Sequence, residues 1–355
     1  MLYVDEHKLR ERYLAYWNRE NHDRPLMSVT APGARRSGPP IPRPDSLKKA
    51  WTDVDYIVKC ARRQAGQLYY AGEAFPLYCP NLGPDLVGAI CGCELVFGED
   101  TSWARPSVAG WESLPPITFN PQNPYFVKIL EITRAVLRDS RGDYLVGVTD
   151  LHPGSDALVS LRGAEAACID LVENAPELVR RSDEIFEVYR RVYTALDEEI
   201  RAVQQGSTCW MGILNPTRGW YPVSSDFSCM ISPADYEYLV APAIEREIDF
   251  LGAAIYHLDG PDALRHLDRI LAMERLNGVQ WVYGAGQPSA RHWIHVLKKI
   301  QRAGKLIEIT AEPEDVETLC SQLRPEGVHI TVSAASPEQA DELIKIALRA
   351  TRDAR

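Results

Sequence analysis

Several things are missing from this chain, and each absence narrows what it can be. It has no stretch of about 18 consecutive apolar residues of the kind that spans a bilayer. Its first residues, MLYVDEHKLRERYLAYWNRE, are charged and lack the basic-then-apolar profile of a secretory signal. A cytosolic protein is expected. No C-x-x-C pair occurs: the eight cysteines (60, 79, 91, 93, 168, 209, 229 and 320) are scattered, which suggests neither a disulfide framework nor a zinc ribbon. The close pair Cys91 and Cys93 lies in apolar LVGAICGCELVFG and reads as buried packing. No G-x-G-x-x-G follows a strand and no G-x-x-x-x-G-K-[ST] is present, so no nucleotide cofactor is expected. Positive charge is in deficit, 39 Lys and Arg against 49 Asp and Glu, which argues against nucleic acid and against an anionic membrane surface.

What is present is an ordinary globular composition, 45% hydrophobic and 25% charged over 355 residues, long enough for a substantial core. Short β-branched or apolar runs ending in Gly, Pro or Asp predict strands: LMSVTAP (26 to 32), YLVGVTDL (144 to 151), CWMGILNP (209 to 216), AAIYHLD (253 to 259), GVQWVYGAG (278 to 286), LIEIT (306 to 310) and VHITVSA (328 to 334). Helical spacing fills the intervals 124 to 138, 163 to 204, 233 to 250, 261 to 275, 289 to 303, 313 to 323 and 337 to 350. Ser232-Pro233 and Ser336-Pro337 mark two of the starts. Alternation of this kind, without a nucleotide crevice, favours a (β/α)8 TIM barrel over an open doubly wound sheet, with residues 1 to 355 as one domain. Residues 33 to 123 interrupt the alternation with Pro-rich GPPIPRPDS, one helical stretch (47 to 70) and a Gly/Pro-studded remainder. They read as an insertion after the first strand that covers the barrel mouth.

Functional groups of such a barrel sit at strand C-termini. The polar residues ending the apolar runs are Asp150 and His152, Asn215, His257 and Asp259, and Tyr283, with Asp226 from SSDFS beside them. Two carboxylates and two histidines converging there would supply an acid and a base, or nitrogen and oxygen ligands for a divalent metal. Plainer roles fit some of the same residues. Asp259 before Gly-Pro-Asp suits a helix cap, His257 suits a satisfied core position, and His152 suits a loop. His266, inside the following helix, reads as surface, as do His292 and His295, which lack the Glu of H-E-x-x-H. Trp281 and Tyr283 alternate along one strand and point to one side of it, as pocket lining or core. Asn81 in LYCPNLGPD suits a turn, within reach of the mouth.

SSDFSCMISPADYEYLVAPAI, the strand end YHLDG and HITVSAASPEQADELIKIAL together resemble the superfamily containing uroporphyrinogen decarboxylase and the methylcobamide-dependent methyltransferases, clearly over about residues 140 to 350 and loosely before 120. The resemblance implies a TIM barrel and two chemistries. The methyltransferases hold zinc through His-x-Cys at this strand end and a distant Cys; here His257 is kept, Asp259 stands in place of the first Cys, and Ala334 and Ala335 stand near the second, with Cys320 on a preceding helix. The decarboxylases hold substrate carboxylates on Arg-Gln-Ala-Gly-Arg after the first strand. Arg63-Gln64-Ala65-Gly66-Gln67 resembles that motif but lies within a helical stretch, and Arg35 and Arg36 are better placed.

The leading expectation is methyl transfer in one-carbon metabolism, with zinc or another divalent metal on His257 and Asp259 and a corrinoid carried by a separate protein. His257, Asp259, Asp226 and Asp150 form the catalytic set. His152, Arg35, Arg36, Asn81, Asn215, Trp281 and Tyr283 contact a small-molecule substrate. Decarboxylation of a tetrapyrrole or smaller carboxylate is the alternative, and a non-catalytic ligand-binding barrel a third reading.

Overall fold

The structure is a computed structural model that describes residues 5–33, 39–217 and 219–354. Among the described residues eleven strands form: β1 Leu26–Pro32, β2 Leu68–Gly72, β3 Leu77–Tyr78, β4 Glu94–Phe97, β5 Ser102–Arg105, β6 Leu145–Val146, β7 Tyr221–Ser224, β8 Ala254–Asp259, β9 Gly278–Val282, β10 Leu306–Ala311 and β11 Val328–Ser333. The main sheet has seven of them in the order β2-β1-β11-β10-β9-β8-β7. All of its pairs are parallel except β1 with β2. The strands predicted from near-continuous apolar runs form as expected at β1, β8, β9, β10 and β11. Such runs suit a sheet buried on both faces, because helices cover it.

Three expectations need correction. The run 209 to 216 is a turn, not a strand. Gly212 takes φ +73° there, and only the isolated bridges Val148 with Cys209 and Ser207 with Asn215 involve it. The strand that does form nearby is β7, four residues with Pro222 inside it, tolerated because β7 is an edge of the sheet. The helical stretch 47 to 70 is two helices, Leu47–Thr52 and Val54–Gln67, divided at Asp53, which has extended backbone (ψ 109°) and accepts from Tyr56 N. Its last residues belong instead to β2, which pairs antiparallel along β1. The second helix buries Ile57, Ala61 and Ala65, one face at a spacing of four.

Among the described residues the backbone ladder does not close into a barrel. The pair β3 and β6 is parallel and separate from the main sheet, as is the hairpin of β4 with β5. Between β7 and the segment after β6 the link is a side chain: Tyr221 Oη donates to Thr149 O at 2.6 Å and accepts from Leu151 N at 2.8 Å. The fold is therefore mixed α/β, with a mostly parallel sheet and many helices, and one contiguous apolar core runs from Leu9 to Ala347. The segment 33 to 123 contributes two helices, β2, β3, the short helix Leu86–Cys91 and the β4/β5 hairpin.

The first helix, Glu6–Asn18, is tied to the sheet by a buried ion pair. Glu73, directly after β2, accepts from Arg24 Nη1 and Nη2 at 2.7 Å each, from Arg12 Nε at 3.0 Å and from Met27 N at 2.9 Å. Burial favours the neutral acid at Glu73, but Arg24 and Arg12 outweigh it and hold the carboxyl below its usual range. No helix is long and apolar enough to cross a membrane among the described residues.

Candidate functional site

Because β7 to β9 run parallel, Ser224, Asp259 and Val282 end on the same side of the sheet. The 3-10 turn Asp226–Met230 leaves β7 there and carries Asp226 outward. Three contacts hold it. The Asp156 carboxylate accepts from Asp226 N at 3.1 Å and Phe227 N at 3.0 Å. Ser155 Oγ and Ser225 Oγ are 2.8 Å apart, and His266 Nε2 is 2.9 Å from Ser228 O. His266 is thus not a surface residue: it is 2% exposed and stacks on Tyr236 with ring centroids 4.3 Å apart.

Asp226, His257 and Asp259 each offer a donor atom, and these atoms lie within 4.8 Å of one another. His257 is half-buried, with Nδ1 2.5 Å from Gln280 Oε1 and its ring edge-on to Trp210 at 5.3 Å. Asp259 does not act as a helix cap, since the following turn Pro261–His266 starts from Gly260 with no side-chain cap. Asp226 is pushed up to about 6, first by loss of solvent and then by Asp156 and Asp259, against the pull of His152 and His257.

A second group, His152, Asp156 and Asp226, shares Asp226 with the first. His152 Nε2 lies 2.8 Å from Asp150 Oδ1, its Nδ1 is 2.9 Å from Ser224 Oγ, and Asp156 is 3.7 Å away. The contacts are those of a Ser-His-Asp triad, but the electrostatics are not. Burial disfavours the cation, yet Asp150 and Asp156 outweigh it and hold His152 well above its usual range. An imidazolium already carries the proton a general base must take, so Ser224 is not activated as a nucleophile. The mouth therefore gathers Asp150, Asp156, Asp226 and Asp259 around one cationic histidine, an environment that favours cations and repels polycarboxylates.

The other expected contacts distribute differently. Arg35 and Arg36 lie outside the described residues. Asn81 is exposed and its Oδ1 accepts from Gly83 N at 2.7 Å, closing its own turn. Asn215 is buried, and its Oδ1 accepts from Thr217 N and Oγ1 at 3.1 Å each, so it orders the loop after Gly212. Trp281 is fully buried against Trp293, because the period of two along β9 turns it to the face opposite Gln280. Tyr283 is half-buried beyond β9, near Glu312 and Asp315. His292 and His295 are exposed, as expected. Cys93 is buried and Cys91 half-buried, and burial raises the Cys93 thiol to about 12 and the Cys91 thiol further, consistent with packing.

Four residues at the site escaped the strand-end rule: Asp156, Trp210, Ser224 and Gln280. Asp156 follows His152 by four residues in VTDLHPGSD, and Gln280 is a polar residue inside an apolar strand. Both were visible signals.

The donor set suits a divalent cation. Two ligands each about 2.1 Å from one ion stand at most about 4.2 Å apart, so a small side-chain adjustment closes the group. No thiol joins either group among the described residues, and carboxylate with imidazole is a harder set than the thiolates of a closed structural zinc site.

No family model and no curated protein sequence matches the chain. Among solved structures, a methyltransferase from Methanosarcina mazei is similar over 98% of this chain and 97% of its own, with a TM-score of 0.60 and 12% sequence identity. At that identity the likeness is one of fold. A glycoside hydrolase family 5 enzyme from Prevotella bryantii B14 aligns over 95% of this chain and 97% of its own at 9% identity, with a TM-score of 0.35, too low to bear on the fold.

Proposed function

We propose that this chain is a methyltransferase whose site lies at the C-terminal ends of β7 to β9 and holds a divalent cation on His257, Asp226 and Asp259. The observation that carries it is the convergence of these three donors on one point of the mouth. The full-length fold likeness to the Methanosarcina mazei methyltransferase supports methyl transfer. In this reading the described residues form one domain, its sheet the greater part of a barrel wall, and the described part of 33 to 123 serves as the cover of the mouth.

A bound divalent cation supplies Lewis acidity, lowering the pKa of an acceptor thiol or water at neutral pH. The chain's own residues do the rest. His257 offers Nε2, since Nδ1 is engaged by Gln280. Asp226 and Asp259 supply charge that offsets the cation. His152, held protonated between Asp150 and Asp156, orients a substrate oxygen or sulfur through its contact with Ser224. The methyl donor is a corrinoid carried by a separate protein. Decarboxylation of a polycarboxylate is the weaker reading, because four carboxylates line the mouth.

The test is metal content and methyl transfer measured together. Purified protein loaded with zinc should retain about one equivalent, fall below a tenth of that in His257→Ala and Asp226→Asn, and demethylate methylcobalamin presented with a thiol, followed by its visible spectrum. Protein that retains no metal and leaves methylcobalamin intact in the presence of several thiols sinks the proposal.

A further inference from the structure

Gln280 faces two ways. Its Oε1 lies 2.5 Å from His257 Nδ1, and it stands in register with Glu308, whose Oε1 accepts from Thr331 Oγ1 at 3.1 Å and whose buried Oε2 has no partner among the described residues. These side chains follow one register line across the sheet: Ser224 beside His257, His257 beside Gln280, Gln280 beside Glu308 and Glu308 beside His329. Residues in register on parallel neighbours point to the same face. The line runs from the mouth into a region where Glu308 is 1% and His329 0% exposed.

We infer that Glu308, acting through Gln280, fixes the tautomer of His257 so that Nε2 presents its lone pair to the point shared by Asp226 and Asp259. Both are positioning residues, and the inference rests on the reading of His257 as a ligand. The polarity of the row follows from what each member can do. Burial pushes Glu308 up to about 7, so at pH 8 it is a carboxylate that only accepts, and its unpartnered Oε2 faces the NH2 of Gln280, leaving the Gln280 carbonyl to His257. A carbonyl only accepts, so His257 Nδ1 must carry the hydrogen. Neutral imidazole has one bare nitrogen, which is then Nε2. Reversing Gln280 would set its carbonyl against the Glu308 carboxylate, two acceptors facing each other where both residues are buried. His329 does not compete for Glu308, because its Nδ1 is 3.8 Å from Glu308 Oε1 and its Nε2 is engaged by Ser28 Oγ at 2.8 Å. A histidine ligand oriented through its second nitrogen by an outer partner is a general device of metal sites, and loss of the partner typically weakens metal binding about 10- to 100-fold. Here the outer partner is an amide whose own direction is set by a carboxylate one strand further in.

The tautomer can be read without any assumption about metal or reaction. Full-length protein labelled with 15N-histidine, free of metal at pH 8, should give a two-bond 1H–15N pattern for His257 with Nδ1 protonated and Nε2 bare. Its signals are identified by their loss in His257→Gln. In Gln280→Met and Glu308→Met the pattern should move toward the Nε2–H form that unconstrained imidazole favours. Zinc affinity, by competition with a chelating dye, should fall by about 10- to 100-fold in both. A wild-type His257 protonated at Nε2, or a pattern unchanged in either folded variant, overturns the inference. If Glu308→Met does not fold, the wild-type spectrum and Gln280→Met still decide. If zinc binds nowhere while the tautomers behave as stated, the metal reading falls and the positioning role stands.

Discussion

Glu247 lies behind the site on the helix Ala241–Leu251, 2% exposed, with Oε2 lacking a hydrogen-bond partner. Burial first, then Asp156, pushes it up to about 8 against the pull of Arg246 and His152. Its folded pKa is above its unfolded one, so the folded state holds the proton more tightly. The associated stability is complete below about pH 4.5 and is lost as pH rises through 8, by on the order of 5 kcal/mol for a shift of that size. Glu247→Gln removes this dependence. Urea unfolding at pH 5 and at pH 9 should show the variant gaining on the parent as pH rises; a constant difference at both values would falsify the account of Glu247 as a buried neutral acid.

The turn Asp226–Met230 shows how one element places a functional side chain. Its first two N–H groups point at Asp156, a charge-assisted arrangement of the kind that anchors helix starts. Asp156→Ala leaves both donors without that acceptor and should lower stability by about 2 to 3 kcal/mol in chemical denaturation. It should also weaken zinc binding, since Asp226 loses its fixed position. A variant as stable as the parent, with unchanged zinc affinity, would mean that the Ser155–Ser225 and His266–Ser228 contacts suffice. At this scale the sequence was legible where runs were long and uninterrupted. LMSVTAP and VHITVSA could hardly be anything but strands, and YHLDG announced a strand end. Four-residue β7 with its internal proline gave no such signal, and CWMGILNP imitated a strand because apolar content does not reveal the positive φ at Gly212. The row His257, Gln280, Glu308 and His329 was hidden for another reason. Each partner lies on a neighbouring strand, 23 residues away for His257 and Gln280, and a lone polar residue in an apolar run does not declare its register. His266 read as surface because the aromatic it stacks on belongs to a different helix.

For the whole molecule buried Glu73 is decisive, since through Arg12 of the first helix, Arg24 and the Met27 N–H of β1 it joins the first helix, β1 and the end of β2 at one point. Removing one charge strands the other, and Arg24 is itself 7% exposed. Glu73→Ala should cost about 3 to 5 kcal/mol and loosen the docking of the first helix, seen as faster amide exchange in residues 6 to 18. A loss under about 1 kcal/mol, typical of surface pairs, would place the joint elsewhere. The mixed α/β class with a mostly parallel sheet was readable from alternation, and strand-end chemistry pointed to Asp226, His257 and Asp259, which converge. The break in the ladder was not, because the Tyr221 contacts that bridge it are tertiary.

That break gives the site two walls of unlike mechanics. On one side, His257 and Asp259 ride on β8, stitched by backbone bonds to β9 and onward across the sheet, so they shift only if many bonds let go together. On the other, Asp150 and His152 are fastened to β7 by single rivets, Tyr221 to the backbone at Thr149 and Leu151, and Ser224 to His152. Rivets release one at a time. The line between the two walls is therefore where the mouth gapes most cheaply, and any molecule approaching the cluster meets a yielding jamb on the His152 side and a fixed one behind His257.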